Sequence, residues 1–201
     1  DYIAARFAAI GLQPKGDSGS WFQVFSFVFN NNPHGASTGE SRTGKNVVGY
    51  IDNKALTTVV IGAHYDHLGY GTAGNSRNTG EPAIHNGADD NASGVAALLY
   101  VAEAIKKSKL KKNNYLFLAF SAEELGLIGS KKFVEAKSID VKKVNYMFNM
   151  DMVGRLNEEK VLAVNGSGTS PVWASALTSV PNVGLKIKTS ESGLGPSDHA
   201  S

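Results

Sequence analysis

The sequence predicts a three-layer α/β fold, in which a mainly parallel, mixed central sheet carries helices on both faces. Apolar segments at 57–63, 115–120 and 145–150 have the composition of strands buried on both sides. Two segments with apolar residues at helical spacing, about 91–107 and 125–136, alternate with these strands. Such alternation is typical of a sheet covered on both faces. The length of 201 residues suits a single domain with a full core.

The remaining elements follow from shorter patterns. Before the first apolar strand, we predict a helix at 1–12, a strand near a sheet edge at 21–29, a turn at 30–35, a polar segment without regular structure at 36–44 and a strand at 46–51. After the last apolar strand, we predict a strand at 161–164, a helix at 171–179 and a turn-rich end at 190–201. The glycine-rich segment 69–88 is a long loop of the kind that often borders a functional site.

Composition excludes several function classes. The net charge of +2 gives no reason to expect a nucleic acid or an anionic membrane as partner. No apolar run approaches the roughly 18–20 residues of a membrane span, so we expect no membrane insertion. The lysines of segment 106–112 have an ordinary explanation as a solvated helix end. Because the chain has no cysteine, a zinc site must use histidine and carboxylate ligands.

Metal-competent side chains stand at the ends of the three apolar strands. His64 follows the first strand, the pair Glu123-Glu124 follows the second and Asp151 follows the third. The pair Asp89-Asp90 opens the helix between the first two strands. Since the chemistry of open α/β sheets lies just beyond the carboxyl ends of the strands, we expect these groups to meet. An imidazole with several carboxylates predicts a zinc hydrolase.

Each of these residues also has an ordinary structural explanation. An aspartate of the pair Asp89-Asp90 is a suitable helix cap, and acidic residues such as Glu123-Glu124 are stabilised in a first helical turn. Asp151 needs a balancing cation, which could be a metal or Arg155. Two adjacent glutamates nevertheless suit a division of labour, in which one binds metal and the other takes a proton from the metal-bound water.

Four motifs in order resemble the co-catalytic zinc aminopeptidases, a family that includes glutamate carboxypeptidases and is close to glutaminyl cyclases. They are His64-Tyr65-Asp66-His67, the segment 86–94 (NGADDNASG), the segment 122–130 (AEELGLIGS) and Asn149-Met150-Asp151. The resemblance covers about residues 45–201 and implies the zinc-peptidase fold, similar to that of phosphorylases and hydrolases.

The resemblance implies two zinc ions held by His64, Asp90, Glu124 and Asp151. Asp90 would bridge the ions, His64 and Asp151 would complete one site, and Glu124 would serve the other. The peptide bond after Asp90 is often cis in this family.

The resemblance also implies how catalysis would proceed. Glu123 would be the general base and then the proton donor to the leaving amine, and Asp66 would support the site by holding His64. The substrate would be a peptide with a free N-terminus, cleaved after its first residue. Relatives of this kind are often exported, which favours a periplasmic or secreted location.

One family ligand has no counterpart in these motifs. The family carries a further zinc-binding histidine downstream of a Ser-Asp-His motif, and Ser197-Asp198-His199 resembles that upstream motif. We therefore expect that His199 is not this ligand, and that the ligand lies beyond Ser201 together with a last strand and helix.

Two other functions remain open at this stage. A glutaminyl cyclase-like enzyme with a single zinc would release ammonia from an N-terminal glutamine. A non-catalytic domain of the same fold would keep the architecture without the metals. The intact set of candidate ligands and base argues against the second alternative.

Overall fold

The computed structural model describes residues 1–30, 39–71, 76–81, 83–181 and 183–201. In chain order, its helices are α1 (Tyr2–Ile10), α2 (Gly94–Lys107), α3 (Ile128–Glu135) and α4 (Val172–Ser179). Its strands are β1 (Gln13–Pro14), β2 (Phe22–Phe29), β3 (Glu40–Ile51), β4 (Thr58–His64), β5 (Asn114–Phe120), β6 (Val144–Asn149), β7 (Val161–Asn165) and β8 (Lys186–Ser190). No helix in these described ranges is long and apolar enough to cross a membrane.

The main sheet is mixed, which confirms the predicted α/β class. Its order is β1-β3-β5-β4-β6, and β2 pairs with β3 along the same side as β1. Strand β4 is parallel to both β5 and β6, whereas β3 is antiparallel to β1, β2 and β5. The parallel part of the sheet is therefore β5-β4-β6. The first three strands of the chain, β1, β2 and β3, form the antiparallel part, which lies beside β5.

Alternate residues of the central strands build two separate cores. On one face, Phe117 and Ile61 pack with the buried residues of α1 and α2, among them Phe7 and Leu98. On the other face, the neighbouring residues of the same strands form a cluster with Phe133 of α3. Because side chains along a strand point alternately to the two faces, a continuous apolar run serves both cores. The prediction of helices on both faces is thus confirmed.

The structure differs from the expected elements at several points. Strand β3 begins at Glu40, because the polar residues 40–45 pair with β2 along an edge of the sheet. Helix α3 begins at Ile128 rather than near 125, since Ala122, Gly126 and Leu127 all have positive φ angles that are incompatible with a helix. Strand β7 pairs only with the unexpected β8, in a separate parallel pair of strands. Most of the turn expected at 30–35 lies outside the described residues.

The parallel strands deliver their carboxyl ends to one place. His64 at the end of β4 is in register with Phe120 of β5, and Gly62 is in register with Asn149 of β6. The segments that follow β4, β5 and β6 therefore begin side by side. His64 is the last residue of β4, and the segments after β5 and β6 carry Glu123 and Asp151.

Candidate metal centre

His64 lies at the middle of the candidate centre and is 1% exposed. Its Nδ1 atom is 3.2 Å from the carbonyl oxygen of Asp66. Its Nε2 atom lies 3.2 Å from Asp90 Oδ1, 3.4 Å from Asp151 Oδ1 and 3.8 Å from Glu123 Oε2. With a proton on Nδ1 shared with Asp66, Nε2 is left to face three carboxylates, which is the usual orientation of an imidazole ligand.

Asp90 reaches the centre from an irregular turn, Ala88–Ser93, that precedes α2 and has a non-helical backbone at Asp90 and Asn91. The peptide bond between Asp90 and Asn91 is cis, as the resemblance implies. The buried Asn91 holds this turn, because its side chain donates to the carbonyl of Met150 and accepts the backbone N–H of Gly94. Neither aspartate caps α2. The bond between Asn91 and Met150 also ties the turn to the segment carrying Asp151.

Asp89 has a structural role that is distinct from that of Asp90. Its Oδ1 atom accepts the backbone N–H of Gly154 at 2.9 Å, and its Oδ2 atom lies 3.7 Å from Arg155 Nε. Arg155 thus lies beside Asp89, and it is not the cation that balances Asp151. The rival explanation for Asp151 is therefore wrong.

Glu123 and Glu124 sit in a turn ahead of α3 rather than inside its first helical turn. The carboxylate of Asp66 accepts the backbone N–H of Glu123 at 3.1 Å and that of Glu124 at 3.2 Å. The side chain of Glu123 is only 10% exposed and points toward His64. Stabilisation by the helix macrodipole therefore does not explain this acidic pair.

The acidic groups perturb one another strongly in the absence of a metal. Burial, together with the charges of Asp198, Asp151 and Glu124, raises the pKa of Glu123 to about 8, although His64 opposes the shift. Burial and the charge of Asp90 raise the pKa of Glu124 to about 7. Burial first and mutual repulsion second thus disfavour the ionised forms of both glutamates.

His64 responds to the same charges in the opposite sense. Burial would lower its pKa, but the close contacts with the carboxylates of Asp151 and Asp66 and the charge of Glu123 outweigh burial and raise it to about 11. Burial would likewise raise the pKa of Asp151, yet its contact with His64 lowers it. The carboxylates around His64 therefore favour positive charge at this centre, whether it comes from a proton or from a metal cation.

The residues present fit a metal cation. Ligand atoms of His64, Asp90 and Asp151 all lie within 4.8 Å of one another. Asp151 Oδ1 is buried, and among the described residues it has no hydrogen-bond donor. One imidazole and two carboxylates form a donor set that suits zinc. Glu124 lies outside this group of three but close enough to Asp90 for their charges to interact.

Other histidines and acids near the centre have different positions. His85 Nε2 lies 2.9 Å from Ser76 Oγ and is not part of the ligand group. His199 is also outside that group. Asp198 is only 2% exposed, and burial raises its pKa to about 6. The sequence singled out its Ser-Asp-His motif but did not indicate that Asp198 would be a buried acid near Glu123.

Comparisons with known proteins place this arrangement in a family. The sequence model of the family described as peptidase family M28 matches residues 46–201. Aminopeptidase YwaD of Bacillus subtilis is 31% identical over 167 residues, covering 79% of this chain and 33% of that protein. A probable leucine aminopeptidase of Trichophyton verrucosum is 30% identical, covering 78% of this chain and 42% of the relative. The chain thus spans a third to two fifths of the length of these two curated relatives.

Solved structures share the fold. A zinc aminopeptidase from Bacillus subtilis has a TM-score of 0.59 at 30% identity, over 81% of this chain and 38% of that one. Glutaminyl cyclase of Porphyromonas gingivalis has a TM-score of 0.71 at 19% identity, over 99% of this chain and 68% of that one, a likeness that shows the fold alone. The family match contains all four segments that build the centre, and the chain therefore belongs to peptidase family M28.

Proposed function

We propose that the chain carries the centre of a zinc-dependent aminopeptidase, which hydrolyses N-terminal residues from peptides. The observation that carries this proposal is the largely buried Glu123 carboxylate beside the cluster of His64, Asp90 and Asp151. A candidate base next to candidate metal ligands is the arrangement that metal-assisted hydrolysis requires. Relatives that are about 30% identical are named aminopeptidases, which supports the same activity.

The proposed metal content is two zinc ions in the complete site. His64, Asp90 and Asp151 would hold one ion, and Asp90 would be shared with a second ion that Glu124 also binds. The contact group of His64, Asp90 and Asp151 supports the first assignment, and the electrostatic interaction of Glu124 with Asp90 supports the second. Bound zinc makes water acidic and polarises a carbonyl group. We propose that the second site needs one further imidazole.

Glu123 has the position of a general base. Its carboxylate would accept a proton from the attacking water and then donate that proton to the departing amine nitrogen. The exclusion of solvent from the Glu123 side chain supports both steps, because a dry carboxylate exchanges its proton with its neighbours rather than with bulk water. Asp66 acts through its neighbours, since it holds the Glu123 backbone and contacts the His64 ring.

The proposed substrate is a peptide with a free N-terminus. The acidic groups around the centre offer a negative environment for an α-ammonium group, which would align the first peptide bond of the substrate. The chain also has a relative at 32% identity, over 74% of this chain, described as a probable lipoprotein aminopeptidase of Mycobacterium tuberculosis. That relative supports our proposal of an exported, periplasmic or secreted protein.

The substitution Glu123→Gln tests the proposed function. It keeps the size of the side chain but removes the base, so hydrolysis of aminoacyl p-nitroanilides should fall by roughly 10²–10⁴-fold. Zinc content and melting temperature should stay close to those of the unmodified protein. The exposed Glu158→Gln is the matched control and should keep full activity. Near-normal turnover in Glu123→Gln would refute the role given to this residue.

The product distinguishes the proposed activity from that of a cyclase. With a peptide that begins with glutamine, an aminopeptidase releases free glutamine, whereas a cyclase releases ammonia and leaves a pyroglutamyl peptide. Blocking the N-terminus of the substrate by acetylation should abolish both reactions. A zinc-loaded protein that produces neither product would favour a non-catalytic role.

A further inference from the structure

The N-terminal ends of β4, β5 and β6, at the end of the main sheet opposite the metal centre, form a separate surface. Segments 52–57, 108–113 and 137–143 lead into β4, β5 and β6. Thr58 is in register with Asn114 on one side and with Val144 on the other, so the three segments meet at one edge of the sheet. The seven residues of β4 separate this edge from His64 by about 20 Å at the usual rise per residue.

This edge concentrates positive charge. Segments 52–57, 103–113 and 137–143 contain nine lysines and three acidic residues, although the whole chain has a net charge of only +2. All nine of these lysines are exposed, and five belong to the end of α2 and the segment that follows it. We call this surface the lysine face; its lysines are Lys54, Lys106, Lys107, Lys109, Lys111, Lys112, Lys137, Lys142 and Lys143.

The acidic residues of the lysine face are already engaged. Asp52 pairs with Lys54 and Glu103 pairs with Lys107. The carboxylate of Asp140 accepts the backbone N–H of Lys142. Within the described part of the chain, the other lysines of the face, apart from Lys54 and Lys107, form no ion pair. Their charges are therefore available to a partner.

Each of the three segments also exposes an aliphatic side chain among its lysines. Leu56 is 90% exposed, Leu110 is 57% exposed and Val141 is 58% exposed. A single exposed aliphatic residue needs no explanation, but three at the tips of adjacent segments form a pattern. Exposed aliphatic side chains beside lysines suit a membrane interface, where the apolar groups meet the acyl boundary and the ammonium groups stay in water.

Hydrogen bonds tie segments 52–57 and 108–113 to each other and to the start of β6. The Asn53 side chain donates to the carbonyl oxygens of Leu110 and Asn113. The side chain of Asn113 in turn accepts from Thr57 Oγ1 and Asn145 Nδ2. The part of the lysine face formed by segments 52–57 and 108–113 is therefore preformed, and binding there would require little ordering of the chain.

We propose that the lysine face binds the surface of an anionic phospholipid bilayer, with Leu56, Leu110 and Val141 entering the headgroup region. Clustered lysines are attracted to anionic headgroups, and the aliphatic side chains add contact with the acyl boundary. The segments of the face contain no arginine and no aromatic residue, which are the groups that recognise phosphates by paired hydrogen bonds or stack on bases. This composition favours a lipid surface over a nucleic acid. Bound in this way, the protein would point its metal centre away from the membrane.

Vesicle sedimentation tests the proposal with the zinc-loaded 201-residue protein. We expect binding to vesicles that contain phosphatidylglycerol, little binding to phosphatidylcholine alone, and weaker binding as salt increases. The variant Lys111→Gln/Lys112→Gln/Lys143→Gln should reduce the partition coefficient roughly tenfold or more. The control Lys160→Gln/Lys186→Gln/Lys188→Gln makes the same change in net charge, in exposed residues outside the face, and should bind almost normally.

The aliphatic side chains are tested separately. The variant Leu56→Ser/Leu110→Ser keeps every lysine, and it should lose the binding that persists at high salt. Circular dichroism checks that all variants stay folded. An equal loss of vesicle binding in the two triple-lysine variants would overturn the proposal, because it would indicate attraction by net charge alone. Failure of the unmodified protein to bind phosphatidylglycerol vesicles, or tighter binding to single-stranded DNA, would also overturn it.

Discussion

The carboxylate of Asp66 accepts the backbone N–H of Glu123 at 3.1 Å. The same Oδ1 atom lies 3.6 Å from His64 Nδ1, so one side chain contacts both the imidazole of the centre and the turn that carries the candidate base. Asp66 follows directly after β4, whose end is fixed by strands on both sides. The positions of His64 and Glu123 therefore depend on one another through Asp66.

Asp66→Asn should impair the centre without unfolding the protein. The amide retains one acceptor oxygen, but its NH₂ group would face a backbone N–H group that in the unmodified protein donates to the second carboxylate oxygen. We expect zinc affinity to fall by roughly 10–100-fold, as for other residues that orient metal ligands. Titration with a competing chelator measures this change. Asp52→Asn is the control, and an equal affinity in both variants would contradict the role of Asp66.

Alanine substitutions at the adjacent aspartates should have different effects on metal content. Asp90→Ala removes a carboxylate of the ligand group and should abolish tight zinc binding. Asp89→Ala removes the bond to the Gly154 backbone and the contact with Arg155, so it should lower stability but keep zinc. Elemental analysis after dialysis gives the zinc content of each. Retention of zinc in Asp90→Ala with loss in Asp89→Ala would reverse the assignment.

Stability of the metal-free protein should decrease as pH rises from about 5.5 to about 8. Burial raises the pKa of Glu123 to about 8 and that of Glu124 to about 7, from an ordinary value of 4.5. His64, despite its burial, has a pKa raised from 6.5 to about 11 by the surrounding carboxylates. The folded chain thus keeps protons that the unfolded chain releases in this pH range, and its free energy of unfolding falls.

Added zinc should make the protein more stable as pH rises, because zinc competes with protons for the same side chains. Melting temperatures with a chelator and with added zinc, measured at about pH 5.5 and about pH 8, check both expectations. The increase in melting temperature caused by zinc should be larger at the higher pH. A metal-free protein that melts higher at about pH 8 would contradict the charge balance described above.

Gly129→Ala should destabilise the protein. A Cβ atom at this position would collide with the backbone carbonyl oxygen of Ser121 and approach the buried Asn46 side chain, so α3 would have to move away from the sheet. Overpacking of this kind costs about 1–3 kcal/mol, which urea denaturation detects. Gly80→Ala is the matched control, since its nearest neighbour is 3.4 Å away on an exposed loop. Equal stability of the two variants would show that the contact is loose.

The central strands could be predicted from the sequence, because a strand buried on both faces is a continuous apolar run that is easily recognised. Strand β8 was missed, since all five of its residues are exposed and it lacks an apolar pattern. The first half of β3 was missed for a related reason, as its polar residues pair along an edge. Patterns of burial predict cores well but predict edges poorly.

The sequence also predicted which segments would meet at the candidate centre. His64, Asp90 and Asp151 come together, because the ends of parallel strands must share one edge of the sheet. The contacts of Asp66 with Glu123 and of Arg155 with Asp89 could not be predicted, because they depend on backbone turns with positive φ angles and on packing between distant loops. Motif spacing carries no information about such contacts.

The turn held by Asn91 has a consequence for the life of the protein in a cell. Its side chain joins the segment of Asp90 to that of Asp151, so the ligand group exists only after β4, α2 and β6 have assembled. An unfolded chain offers isolated side chains with little affinity for the ion, and zinc therefore stabilises only the assembled form. With zinc bound as proposed, the metal-loaded protein should therefore unfold less often than the metal-free protein and be cleaved more slowly by proteases.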